Sequence, residues 1–158
     1  MIIDRFQDEN GKHTFLSNFY PSPIQVTLSA DETLVYPTVE HYFQACKNPD
    51  LDYQREVAAA STPGKAKRLG RKVQLMPGWD SVKLDIMRLA IEAKFWPGSQ
   101  LTVELLCTED AYLVEGNTWG DTFWGKVDGR GSNWLGIILM ARRTELLHNI
   151  TGKLLQKG

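Results

Sequence analysis

The sequence predicts a helix-dominated α+β fold, about six helices around a small antiparallel sheet. Three observations lead there. Apolar residues recur at spacings of three and four over several stretches that begin or end at Pro, Gly or a capping residue. One pair of short segments alternates with period two, and one long segment rich in Gly and Trp fits neither pattern. At 158 residues the chain is about one domain, and 1–158 reads as a single unit without linker or repeat.

The elements follow in order. His13 to Phe19 reads as a short extended piece leading into the Pro21-Ser22-Pro23 turn. Ile24 to Leu28 alternates, Thr33 to Tyr36 is rich in β-formers, and the polar Ser29-Ala30-Asp31-Glu32 between them makes a hairpin. Pro37 stops the strand, Thr38 can cap, and Val39 to Lys47 then runs as a helix ending before Asn48-Pro49. Asp50 to Ala60 is an amphipathic helix, and Thr62-Pro63 introduces another, with Pro where a missing N–H is tolerated. Trp79 to Trp96 carries Val82, Ile86, Leu89, Ala90 and Ala93 on one face, widened by Met87 and Ile91, and Pro97-Gly98 ends it. Ser99 caps a short helix through Leu106, and Ala111 to Val114 is a strand or an extended entry to the glycine-rich segment. Trp134 to Leu147 is the last helix, expected to bury Ile137, Ile138, Met140 and Ala141 and to turn polar at Arg142-Arg143.

Leu113 to Gly136 carries Gly116, Gly120, Gly125, Gly129, Gly131 and Gly136, six of the chain's 13 glycines, with Trp119, Trp124 and Trp134. Glycine lets main-chain N–H groups approach a ligand closely, and indole offers a flat face for a base or sugar. The same composition also suits a surface loop whose glycines make turns and whose tryptophans anchor it. On the first helix Val39, Tyr42, Phe43 and Cys46 form an apolar face, and Glu40, Gln44 and Lys47 a second stripe at the same spacing. That stripe reads most simply as a solvated face with a weak Glu to Lys pair; the same residues can line a pocket. Gly64 to Lys72 holds five basic residues in nine without the glycine spacing of a P-loop, so it is either a solvated basic face or a phosphate-binding edge.

Composition excludes several classes. A formal charge of −1 argues against holding nucleic acid by bulk electrostatics. Cys46 and Cys107, like His13, His41 and His148, have no metal or redox spacing, so buried thiols in a reducing cytoplasm are expected, with no metal and no cofactor. No signal-peptide order and no apolar run long enough for a membrane span is found. Nothing in the sequence sets the oligomeric state.

Several motifs, in order, resemble the NADAR (YbiA-like) family. They are Leu16-Ser17-Asn18-Phe19, the run Glu40 to Lys47, Lys65-Ala66-Lys67-Arg68-Leu69-Gly70-Arg71, Leu113-Val114-Glu115, Asp121-Thr122-Phe123-Trp124-Gly125, and Gly131 to Gly136 continuing into Leu139-Met140-Ala141-Arg142. They span about Phe15 to Arg143. The resemblance implies a NADAR/YbiA-like fold and a hydrolase of N-glycosidic bonds in ribosylated or ADP-ribosylated compounds. Such substrates include ADP-ribosyl-guanine in nucleic acid and phosphorylated ribosylamino-pyrimidine intermediates of riboflavin synthesis. The partner is then a small-molecule nucleotide or an ADP-ribosylated nucleic acid, not a membrane. Two features depart from the family pattern: the added pair Trp119-Gly120 lengthens the loop, and Glu109-Asp110 makes a more acidic rim.

Breaking a C–N bond at a ribose anomeric carbon passes through an oxocarbenium-like state, which calls for a carboxylate near that carbon. On the family's Glu-His-Tyr motif that part falls to Glu40, with Asp121 a second candidate for orienting water. Lys47 would hold Glu40 ionised and touch a phosphate or ribose oxygen, or, as a variant, attack an opened ribose aldehyde to form a Schiff base. Phe19 and Trp124 would stack on the base, Asn18 and Asn133 would bond ribose or phosphate oxygens, and the Gly125, Gly129 and Gly131 backbone would cradle phosphate. Tyr42, Gln44, Lys65, Arg68 and Glu115 complete the expected substrate-binding set, and the loop and the Glu40 stripe are expected to wall one cleft. Two other classes compete: a non-catalytic reader of ADP-ribose, and a single-strand nucleic-acid binder using the basic segment and the tryptophans.

Overall fold

A computed structural model of the chain describes residues 1–6 and 11–155. Six α-helices and two small two-stranded sheets are found among them. The chain gathers into two compact units, one formed by Asn18–Lys94 and the other by Met1–Ser17 with Phe95–Gly158.

In the Asn18–Lys94 unit, β2 (Ile24–Thr27) and β3 (Thr33–Tyr36) pair antiparallel, with Ile24 opposite Tyr36 and Thr27 opposite Thr33. This is the expected hairpin. Four helices follow: α1 (Val39–Ala45), α2 (Leu51–Ala58), α3 (Pro63–Lys72) and α4 (Trp79–Lys94). Each of the first three starts on a side-chain cap, Thr38 accepting from the His41 N–H, Asp50 from Tyr53 and Thr62 from Lys65. On α4 the buried residues are Trp79, Met87, Ala90, Ile91 and Lys94, while Leu89 is 49% exposed and Ala93 is also exposed. Of the expected apolar face, Ala90, Met87 and Ile91 are buried and Val82 and Ile86 half-buried, and only Leu89 and Ala93 turn outward. With apolar residues nearly all round, periodicity alone does not fix the helix's phase; Trp79 packing on Phe43 at 5.2 Å does.

In the other unit, β1 (Ile2–Ile3) lies parallel to β4 (Tyr112–Leu113), a pairing too short for any sequence pattern to announce. His13 to Phe19 is not a strand: Thr14–Leu16 forms a 3₁₀ turn that buries Phe15 and Leu16, with Phe15 edge-on to Phe95. Then come α5 (Gln100–Leu106), capped by Ser99, and α6 (Trp134–Leu155), which continues past Leu147. The face of α6 also differs from expectation. Leu135, Leu139, Arg143 and Leu146 are buried, whereas Ile137 is 39% exposed and Ala141 is exposed. Gly136 decides this, because its bare Cα lies against the Leu113 carbonyl and the Asn133 side chain, where a Cβ would have no room. Arg143 is drawn inward as a polar strut: its guanidinium donates to Thr108 Oγ1 at 2.6 Å and to the Ala111 carbonyl at 2.9 Å. The thiols divide too. Cys46 is half-buried and pushed up to about 11 by burial, while Cys107, at the C-cap of α5, is exposed rather than buried.

Candidate active site

The Glu40 stripe is not a solvated face. Glu40 is 6% and Gln44 4% exposed, and Gln44 Nε2 donates to Glu40 Oε1 at 2.7 Å. A buried carboxylate requires donors, and this one sits one helical turn from an amide directed at it. The start of α1 is pinned on both sides of it. The Glu40 N–H donates to the Asn18 carbonyl at 3.0 Å. Thr38 Oγ1 and His41 Nδ1 are hydrogen-bonded at 2.8 Å, and His41 Nε2 donates to the Ala60 carbonyl at 3.0 Å. Burial lowers the His41 pKa, and the Ala60 bond only partly opposes that. Further along, the Tyr53 hydroxyl donates to the Gln44 carbonyl at 2.8 Å.

Helix α3 faces this stripe through its small residues Ala66 and Gly70, both buried. Gly70 lies against the Gln44 amide so closely that a Cβ there would run into Gln44 Oε1. Its carbonyl accepts from Lys47 Nζ at 3.2 Å. Burial lowers the Lys47 pKa, Glu40 raises it, and Lys67 and Arg71 lower it further. Lys67 Nζ lies 5.9 Å from the Phe19 ring centroid, and Lys94, 2% exposed, holds its Nζ 5.6 Å from that of Tyr20. Asn18 Nδ2 contacts Met87 Sδ at 3.5 Å, and its Oδ1 is buried without a partner among the described residues.

The glycine-rich segment behaves differently, because its Asp121, Asn117 and Asn133 side chains are occupied by its own backbone. Asp121 Oδ1 accepts from the amides of Phe123 at 3.0 Å and Trp124 at 2.9 Å. Asn117 donates to the Asp121 carbonyl at 2.7 Å and accepts from its N–H at 3.0 Å. Asn133, wholly buried at φ 55°, accepts from the Glu115 N–H at 3.0 Å and donates to the Leu113 carbonyl at 2.9 Å. Gly125 backs onto the Glu115 carbonyl, and Gly131, at φ 140°, onto the Gly125 carbonyl. Asp128 and Gly129, both at positive φ, close the two-residue turn between Val127 and Arg130. Trp124 stands edge-on to Phe123 at 4.9 Å, and Trp119 is 53% exposed between the clamped Asn117 and Asp121.

The structure therefore brings Glu40, Gln44 and Lys47 together, with Asn18 and Phe19 reached through the Asn18 to Glu40 bond and through Lys67. It directs Tyr42 elsewhere: that ring stands edge-on to Tyr36 of β3 at 5.7 Å. Lys65 is exposed and bonds Ser61, and Arg68 is exposed as well. Of the unit's cations, sequence reasoning selected Lys65 and Arg68; Lys67 and Lys94, not singled out there, are the ones that lie over the Phe19 and Tyr20 rings. The spacing of Ala66 and Gly70, two small residues four apart, is the signal that marks the inward face of α3 and so places Lys67 and Arg71 beside it. For Lys94, a lysine in an apolar helix end, no local signal exists. Among the described residues, no three His, Cys, Asp or Glu side chains are grouped to hold a metal ion. No helix among them is long and apolar enough to cross a membrane.

Comparison with known proteins names the class. The chain is 40% identical over 147 residues to the N-glycosidase YbiA of Escherichia coli, covering 91% of this chain and 88% of that one. An N-glycosidase of Nostoc punctiforme is 40% identical over 144 residues, 86% and 88% of the two chains. A riboflavin biosynthesis protein of Vibrio vulnificus is 36% identical over 154 residues, 96% of this chain and 40% of that longer one. The NMR structure of E. coli YbiA superimposes with a TM-score of 0.76 at 38% identity, over 96% of this chain and 86% of the other. The protein is thus a hydrolase of N-glycosyl bonds. Residues 5–147 match the NADAR domain, and the chain belongs to the NADAR family.

Proposed function

We propose that this N-glycosidase cleaves the bond between a base nitrogen and the ribose C1 of a ribosylated or ADP-ribosylated compound, with Glu40 as the carboxylate nearest C1. The observation that carries the reading is the buried Glu40 carboxylate, oriented by Gln44 and set one helical turn and three residues before the Lys47 ammonium. Charge that develops at C1 is stabilised by an anion already fixed in place, so little reorganisation accompanies bond breaking. Lys47, Lys67 and Arg71 form a cationic group suited to a substrate phosphate. Phe19, with Lys67 over its ring, offers a face for the base. Asp121 orders the loop that carries Trp124, and water activation falls to Glu40.

The name of the Vibrio relative favours phosphorylated ribosylamino-pyrimidines among the candidate substrates; ADP-ribosyl-guanine in nucleic acid shares the same ribose, phosphate and C–N bond. A cytoplasmic setting belongs to the same reading, supported by the free thiols of Cys46 and Cys107. So does action as one NADAR domain, supported by a family match that runs through both compact units.

A second route is favoured by the lowered pKa of Lys47, which raises the fraction of neutral amine. The amine nitrogen would displace the base from C1, the base leaving with a proton; opening of the resulting glycosylamine, its N–H proton passing to the ring oxygen, gives an imine that water hydrolyses to free the sugar and the amine. Borohydride trapping of a covalent sugar on Lys47 distinguishes this from direct attack by water.

The test is chromatographic: wild type and Glu40→Gln are incubated with ADP-ribosylated DNA guanine, free ADP-ribose conjugates, NAD and phosphorylated ribosylamino-pyrimidines. Base or ADP-ribose release by wild type, reduced about 100-fold or more in the variant, is expected. Near-normal turnover by a folded Glu40→Gln variant removes Glu40 from its role, and tight binding with no release from any compound would make the protein a reader.

A further inference from the structure

Gly70 breaks a local rule. It lies within α3, two residues before the helix ends at Lys72, where glycine costs about 1 kcal/mol relative to alanine. Its φ is ordinary, so no left-handed turn requires it. What requires it is Gln44. The Gln44 side chain fills the place of the missing Cβ, and the Cα hydrogen standing there points at Gln44 Oε1. Oε1 has no other partner among the described residues, and the opposite end of the same amide donates to Glu40. The amide is thereby held in one orientation, oxygen toward Gly70 and N–H toward the carboxylate. The Gly70 carbonyl also accepts from Lys47, so one position of α3 sets both charged groups of the stripe.

We propose that Gln44 and Gly70 are a positioning pair for Glu40, Gln44 keeping the carboxylate ionised and aimed while Gly70 leaves the room that lets it do so. This rests on the glycosidase reading of Glu40 and takes Gln44 out of the substrate-binding set. Among the described residues, Lys47 on α1 reaches the Gly70 carbonyl and interacts with Glu40, and Lys67 and Arg71 of α3 act on Lys47. Helix α2 contributes the Tyr53 hydroxyl, bonded to the Gln44 carbonyl, and α4 meets α1 through Trp79 on Phe43. A neutral donor that bonds the ionised form favours it, so its loss shifts a carboxyl titration upward.

The experiment compares pH profiles of kcat/KM, with KM measured separately, for wild type, Gln44→Met, Gly70→Ala and the double variant. Gln44→Met keeps the side chain's length and removes the donor. It should move the acidic limb up by about one pH unit, leave KM within about twofold and recover near wild-type rate at the alkaline end. Gly70→Ala, whose new Cβ displaces the amide, should move the limb the same way, and the double variant no further than the larger single shift. A role confined to packing would lower Tm and leave the limb in place, which overturns the proposal. A tenfold rise in KM with an unmoved limb returns Gln44 to the substrate and also overturns it. So does full additivity of the two shifts. Should Gly70→Ala fail to fold, NMR titration of the ¹³C-labelled Glu40 carboxyl in substrate-free wild type and Gln44→Met reads the contact directly; an unchanged midpoint sinks the proposal. That readout stands even if Glu40→Gln proves active, so failure of the glycosidase assignment is told apart from failure of the pair.

Discussion

Helix α1 and the glycine-rich loop carry the same kinds of residue, carboxylates and amides, and use them in opposite ways. On α1, Glu40 is a buried carboxylate aimed by a neighbouring side chain, and Lys47 is an ammonium held against the Gly70 carbonyl. In the loop, Asp121, Asn117 and Asn133 bond the loop's own amides and carbonyls. A regular helix satisfies its own backbone and leaves side chains available for chemistry. An irregular segment with buried backbone has to recruit side chains to satisfy it. A polar residue on a helix stripe is therefore better evidence of chemistry than the same residue in a loop.

The largest test of that contrast lies in α1: Glu40→Gln should lose about 100-fold or more in turnover with little change in Tm. Substitution in the loop should do the reverse. Asn133→Ala strands the Glu115 N–H and the Leu113 carbonyl in a buried site and places alanine at φ 55°, which together should destabilise by about 3 kcal/mol and lower Tm by roughly 6–12 °C in thermal unfolding. A pure rate effect at unchanged Tm would instead make Asn133 a substrate ligand.

An intermediate effect belongs to pH. His41 is neutral in the fold with its pKa lowered, chiefly by burial, so below about pH 6.5 the unfolded chain takes up a proton that the folded chain resists. Its contribution is fully present above that pH and declines as pH falls toward the folded value. The denaturant midpoint should drop between pH 7.5 and 5.5, and the drop should shrink in His41→Gln. The smallest effect is expected of Asp121→Asn, whose Oδ1 can still accept from Phe123 and Trp124: stability within about 0.5 kcal/mol and turnover within about threefold. A hundredfold loss there would restore water activation to Asp121 and weaken the contrast.

The hairpin, the capped helix starts at Thr38 and Ser99, the Thr62-Pro63 helix entry, and the stripe of Glu40, Gln44 and Lys47 were all legible in the sequence, because each is settled by residues within a turn or two of one another. The motif order pointed to the family for the same reason, being a linear property. Which face of α6 turns inward was not, since runs such as Ile137-Ile138-Leu139-Met140 are apolar on every side and only a partner sets the phase. Nor were the burial of Glu40, the inward turn of Arg143 and Lys94, or the bonding of Asn133 to Leu113 and Glu115. Local propensity decides where a helix begins and how its side chains are spaced. Whether a charged side chain on it meets water, a backbone carbonyl or another amide depends on segments far away in the chain, and that is decided only when they pack.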